Sequence, residues 1–366
     1  MLRFPNPGST VANFVAVYKA AFDRLNGHIV DLDDIVQTVV AANLATSSGY
    51  AGDEAIARST RADRSLDPLY NQLKMYAELF RALGWLHPTE ERSLHYTFTL
   101  LGRQFAVTGE NYLPLFRECV LGTVYPSRVL QVLGDIDLRP FAFLLKVMLA
   151  AGGYIARDEM IIGPLSSSDQ TQDAVSKVVA SIRRARAGKE AADAMLEAVA
   201  DQAEVQVNTL HNYTRWPIAV IRDVGWAEKA AAHFADGQKY NAFRLTDLGR
   251  AAAQWASSAN DVRLAKLERL PPEEREALSI TAHYEMLSRA DFDCTPVASV
   301  LEKYRASATA AQTRLGFSQP GPLLYSPFQT LGFPCFRGHR PKVYSTAFSY
   351  SAGLTKPIVE WRLLAL

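Results

Sequence analysis

The sequence predicts a mainly α-helical chain with small β wings, an α+β fold made of three tandem winged-helix units. Three observations predict it. A helix that runs into Gly-aromatic and then a Thr-bearing strand closed by a second glycine occurs twice in the same order. A looser third copy follows. A length of 366 residues with 48% hydrophobic content also supplies apolar material for two or three cores.

The first unit is read over 1–110. Val11, Phe14, Val15, Val17, Tyr18, Ala21, Phe22 and Leu25 recur at helical spacing, and residues 31–43 give a second amphipathic helix. A third helix over about 66–83 ends in Leu83-Gly84-Trp85, and a strand follows that closes as Phe98-Thr99-Leu100-Leu101-Gly102-Arg103. Gly84 suits the left-handed position that stops a helix, Trp85 opens the first wing strand, and the Thr99 hydroxyl can cap the short helix after the strand. Residues 47–64, between the second and third helices, hold glycines, small polar residues and an arginine at every third position.

The second unit is read over 111–258. A helical connector (111–134) leads to an apolar, buried helix (139–151), a capping loop (164–169) and a long Ala-rich helical insertion (about 173–201) that carries Lys177, Arg183, Arg184, Arg186 and Lys189. The second copy of the pattern follows. Val224-Gly225-Trp226 matches Leu83-Gly84-Trp85, and Leu245-Thr246-Asp247-Leu248-Gly249-Arg250 matches Phe98 to Arg103 residue for residue.

The charged stretch 259–276, with Pro271-Pro272, predicts a linker, and a winged-helix-like third unit is read over 275–366. Its copy of the pattern is Pro327 to Phe333, then Tyr344 to Tyr350 and Gly353. The run Leu323 to Phe328 reads as its helix start, apolar and aromatic, and suits a protein partner better than a phosphate backbone. A chain cut near Asn260 is therefore expected to keep the affinity of the first two units.

Several classes are excluded. No apolar run approaches the roughly 20 residues that cross a bilayer, and the first residues lack a signal peptide's apolar core, so a cytoplasmic protein with no membrane partner is expected. Cys119, Cys294 and Cys335 show no Cys-x-x-Cys spacing, which argues against a disulfide framework and a zinc cluster. The seven histidines form no pair at metal spacing; there is no phosphate-binding Gly-Lys loop and no acidic residue followed by a Glu-x-Lys strand. No catalytic residue, metal or cofactor is expected. A net charge of +1 from 39 basic and 38 acidic residues leaves a nucleic-acid partner to local clustering.

That clustering falls at two helix starts. In a winged helix the third helix enters the major groove, where Arg and Asn can read guanine and adenine edges. Arg58, Arg61, Arg64, Asn71 and Lys74 occupy this place in the first unit, with Arg92 in its wing set for phosphate. The bland alternative is a solvated basic face balanced by Asp53, Glu54 and Asp63. In the second unit the place is taken by Asn208, His211, Asn212, Thr214 and Arg215, with Pro217 fitting a helix's first turn; ordinary capping is the alternative.

Phe4-Pro5-Asn6-Pro7-Gly8 before an amphipathic helix, the Gly/Arg-rich residues 49–64, Leu83-Gly84-Trp85 and the Phe98 to Gly102 wing closure together resemble the DNA-recognition region of type IIS restriction endonucleases of the FokI and AlwI-like kind. The resemblance implies successive winged-helix subdomains that read double-stranded DNA beside a separate C-terminal nuclease domain. It carries base contact onto Arg58, Arg61, Arg64, Asn71 and Lys74, then Asn208, Asn212 and Arg215. This chain departs from the family by ending about where the cleavage domain begins. The expectation is a specificity subunit or recognition domain of a restriction or anti-phage defence system, partnered by a nuclease or another defence subunit. A dimeric winged-helix transcription regulator and a restriction endonuclease with an unrecognised nuclease site remain as alternatives.

Overall fold

A computed structural model describes residues 4–44, 54, 67–88, 95–125, 138–267 and 269–325, a mainly helical chain with small sheets. The third copy of the sequence pattern lies outside the described residues.

Local chemistry starts the helices where the sequence places them. The Thr10 hydroxyl accepts the Asn13 N–H at the start of α1 (Val11–Leu25), and Asp31 and Asp34 cap α2 (Leu32–Ala41) reciprocally. Asp67 starts α3 (Pro68–Ala82); its buried carboxylate accepts from the Leu69 and Tyr70 N–H groups. Gly84, at φ +76°, stops α3 and turns the chain into β1 (Leu86–Pro88), which pairs antiparallel with β2 (Tyr96–Phe98). Val30 bridges Tyr96 on the other side of β2, so the lateral order is Val30, β2, β1. A short α4 (Leu100–Ala106) follows.

The second unit repeats this order. α5 (Leu113–Gly122) and α6 (Pro140–Ala150) lead to β3 (Tyr154–Ala156), α7 (Arg157–Ile162), α8 (Gln172–Ala185), α9 (Lys189–Gln202) and α10 (Val207–Asp223). The hairpin β4 (Ala227–His233) and β5 (Lys239–Leu245) and then α11 (Asp247–Ser258) complete it, and the sheet order is β3-β5-β4. The matched blocks carry the same bonds. Thr99 N–H donates to Trp85 O at 3.0 Å, and its hydroxyl donates to Gly84 O and accepts the Gly102 N–H at 2.9 Å. Thr246 makes the corresponding bonds to Trp226 O (3.0 Å), Gly225 O (2.7 Å) and Gly249 N–H (3.0 Å). The second glycine of each block is required because a Cβ at Gly102 or Gly249 would overlap the carbonyl oxygen of Trp85 or Trp226.

One apolar core runs through both units. Phe14 of α1 packs against Phe80 and Trp85, and also against Trp216 of α10, with ring centroids 4.8, 5.9 and 4.9 Å away. α5 lies at the centre, where Phe116 meets Trp85, Arg117 Nε donates to Val224 O at 2.8 Å, and Glu118 pairs with Arg289 at 2.9 Å.

The insertion is helical, as two helices separated at residues 186–188, where Arg186 is drawn inward by Glu159 (2.7 Å) and Gly188 is extended. Four expectations are corrected. Pro217 lies within α10 rather than at its first turn, since the helix already begins at Val207. The presumed linker is packed. β6 (Asn260–Asp261) pairs parallel with β7 (Leu323–Leu324), so Leu323 and Leu324 are strand rather than helix start. Buried Arg139 donates to Asp261 at 2.6 Å, Gly122 O at 2.5 Å and Val262 O at 2.6 Å. Burial pushes the Asp261 carboxyl up, but Arg139 and Arg263 outweigh it and hold it below its ordinary value. Finally, α13 (Pro272–Arg289) places Ile280, Tyr284 and Leu287 in the main core beside α14 (Ala298–Arg314), with α12 (Leu264–Leu267) between β6 and α13. A cut at Asn260 would uncover that core.

Candidate nucleic-acid interface

α10 turns Leu210, Thr214, Ile218 and Ile221 inward. Asn208, His211, Asn212 and Arg215 then recur at i, i+3, i+4 and i+7 and share one face. Asn208 and Arg215 are exposed, and His211 and Asn212 are half-buried. His211 Nε2 lies 2.8 Å from Asp158 Oδ1 of α7, which fixes the imidazole across the gap between the two helices. Thr214 behaves differently from its neighbours. It is fully buried, donates to His211 O at 2.7 Å and accepts the Arg157 Nε–H at 3.0 Å, so it supports this face from beneath.

α3 repeats part of the arrangement. Asn71 stands as far before Gly84 as Asn212 before Gly225, and Lys74 matches Arg215 by the same count. Lys74 is exposed and Asn71 half-buried. Asp67 takes the place of Asn208 but is consumed as the helix cap. Gln72 is turned inward and donates to Pro7 O at 2.8 Å, which ties the opening Pro-Asn-Pro segment to this helix. Arg58, Arg61, Arg64 and Arg92 lie outside the described residues.

The β4–β5 hairpin stands beside α10 and is braced by a buried carboxylate. Glu159 caps the Ala156 N–H at 2.8 Å and accepts Arg186 on both oxygens, at 2.7 and 3.0 Å, and the Tyr240 hydroxyl at 3.3 Å. Arg186 also donates to Ala151 O and Tyr154 O and stacks 3.8 Å over the Tyr154 ring. Burial opposes the Arg186 cation, yet its bonds to Glu159 prevail and raise its pKa. Burial and then the Glu159 charge push the Tyr240 phenol well above its ordinary value. The hairpin tip is held too, because Ala235 N–H donates to Arg186 O at 2.9 Å. Lys229 and Lys239 stay exposed along the hairpin.

Sequence reasoning missed Arg157, Asp158 and Glu159. Their six-residue helix carries no periodic signal, and only folding brings them to residues more than 25 positions away. Among the described residues no three His, Cys, Asp or Glu side chains gather closely enough to hold a metal ion, and no helix is long and apolar enough to cross a membrane. Burial pushes the Cys119 thiol up to about 12, which makes it inert.

No protein-family profile and no curated protein matches the sequence. Among solved structures the chain is similar to restriction endonuclease FokI, with 13% identity and a TM-score of 0.37 over 71% of this chain and 49% of that one. It is similar also to FokI bound to DNA, with 12% identity and a TM-score of 0.37 over 89% of this chain and 62% of that one. Each match leaves a large part of the FokI chain uncovered.

Proposed function

We propose that this chain recognises double-stranded DNA through two winged-helix units and serves as the specificity part of a restriction or anti-phage defence system, with cleavage supplied by another chain or domain. The observation that carries this reading is the polar face of α10. Two asparagines, a histidine and an arginine line one side of a helix whose other side is buried, next to a hairpin fixed against the same body. The three-stranded sheet in the order β3-β5-β4 beside α10 supports a recognition helix in the major groove with the hairpin reaching the neighbouring backbone. Asn71 and Lys74 at the equivalent positions of α3 support a second reading helix. The motif resemblance set out from the sequence supports the restriction setting.

Selection of binding sites from a randomised duplex library tests the reading. An asymmetric motif should be enriched, and Asn212→Ala or Arg215→Ala should lower affinity for it by about 1–3 kcal/mol and relax one base position each. The duplex should stay intact with Mg²⁺. Failure to enrich any motif overturns the recognition reading; metal-dependent cutting abolished by a single carboxylate substitution overturns the division of labour.

A further inference from the structure

Arg157 opens α7 directly beside the α10 face, and its surroundings are unusual for a surface arginine. It is exposed, yet its Nε–H is anchored 3.0 Å from the hydroxyl of Thr214, which is completely buried in α10. The Thr214 hydroxyl is itself fixed, because it donates to His211 O at 2.7 Å. The two acidic residues that follow Arg157 are both engaged elsewhere. Asp158 holds His211 at 2.8 Å, and Glu159 holds Arg186 at 2.7 Å. Among the described residues Arg157 makes no ion pair, so the corner between α7 and α10 presents an arginine held at Nε by a neutral partner, with its two Nη groups left over.

We infer that Arg157 is a DNA-backbone contact, with its Nη fork directed at a phosphate by the Thr214 hydroxyl. The inference rests on the reading of α10 as the recognition helix. In helix-turn-helix geometry the helix before the recognition helix crosses the DNA backbone; with α8 and α9 read as an insertion, α7 takes that place, and Arg157 and Asp158 bond to α10 side chains. A fork of two N–H donors suits two phosphate oxygens. Anchoring at Nε removes rotamer freedom before binding, so less is lost when the contact forms. It also explains why a threonine is buried on the inner face of α10, where an aliphatic residue would fill the same space.

The test uses the full chain and a fluorescein-labelled duplex carrying the motif enriched by selection, with affinity measured by anisotropy over a salt series. Arg157→Ala should weaken binding several-fold and make the salt slope shallower by about 1, the signature of one lost phosphate contact. Thr214→Val should lose part of that affinity, Thr214→Ser should restore it, and Thr214→Val should add nothing in the Arg157→Ala background. The last two results separate positioning of Arg157 from general damage to α10. If the parent binds the duplex and Arg215→Ala weakens it while Arg157→Ala leaves affinity and slope unchanged, this inference fails and the reading of α10 stands. If the parent binds no duplex, both fail. A Thr214→Val chain that does not fold leaves Arg157→Ala to decide, since that side chain is exposed.

Discussion

His283 lies fully buried on α13, and among the described residues neither ring nitrogen has a hydrogen-bond partner. Burial lowers its pKa from the ordinary 6.5 to about 3. The folded protein therefore holds a neutral imidazole where the unfolded chain takes up a proton. Because the folded value is the lower one, its stabilising contribution is complete above about pH 6.5 and is lost as pH falls from there toward 3. Each pH unit in that window costs about 1.4 kcal/mol, so going from pH 7.5 to pH 5.0 should remove about 2 kcal/mol through this residue alone. His283→Leu abolishes the titration and also removes two unpaired polar atoms, so at pH 7.5 the variant should be at least as stable as the parent. Urea unfolding at pH 7.5 and 5.0 on both proteins isolates the effect, since every other titrating group contributes equally to the two pH differences. The parent should lose about 2 kcal/mol more than the variant. Equal losses would refute the argument and mean that the ring is charged or solvated in the folded state.

Two further substitutions probe the packing. Gly249→Ala places a methyl group against the Trp226 carbonyl, 2.8 Å from its carbon, where backbone rather than a flexible side chain has to move. It should destabilise the chain by about 1–3 kcal/mol or more in denaturant unfolding, and an unchanged midpoint would show that α11 approaches the Trp226 backbone less closely than this. Asp261→Asn leaves buried Arg139 without its counter-charge and should cost about 3–5 kcal/mol. A loss below about 1 kcal/mol would return residues 259–276 to the status of a loose linker.

What the sequence made legible is what local bonds enforce. Gly84-Trp85 and Gly225-Trp226 stop a helix and start a strand within two residues, and Thr99 and Thr246 cap the helix that immediately follows them. Such features need no knowledge of distant partners, so they stand out as repeated letters. Residues 259–276 misled because their charges resemble those of a solvated linker, while Asp261 finds Arg139 more than a hundred residues earlier in the chain. Leu323 and Leu324 form a strand only because Asn260 and Asp261 lie alongside. Pro217 suggested a helix start by its usual preference, but burial of Leu210 and Thr214 extends α10 in front of it. On the candidate face, the helical spacing of Asn208, His211, Asn212 and Arg215 could be read directly. Thr214 shares their polarity and lies between them, and only packing shows that it points inward.

The near-zero net charge takes on a different meaning once the pairs are known. Glu159, Asp261 and Glu118 are matched by Arg186, Arg139 and Arg289 in buried or part-buried pairs, and Glu274 by Arg314 at the surface, so these charges largely cancel and contribute little to the field outside. The cations that form no ion pair among the described residues decide what approaches the surface. Around α10 these include Arg157 and Arg215, with Lys229 and Lys239 along the hairpin. A few such cations can hold a phosphate backbone in register without the strong, sequence-blind attraction of a highly basic protein. On the proposed reading, discrimination falls to the neutral amides of Asn208 and Asn212 and to the His211 ring that Asp158 fixes in place. A balanced total charge is compatible with that proposal, in which non-specific affinity is limited and the choice of site is left to hydrogen bonds at base edges.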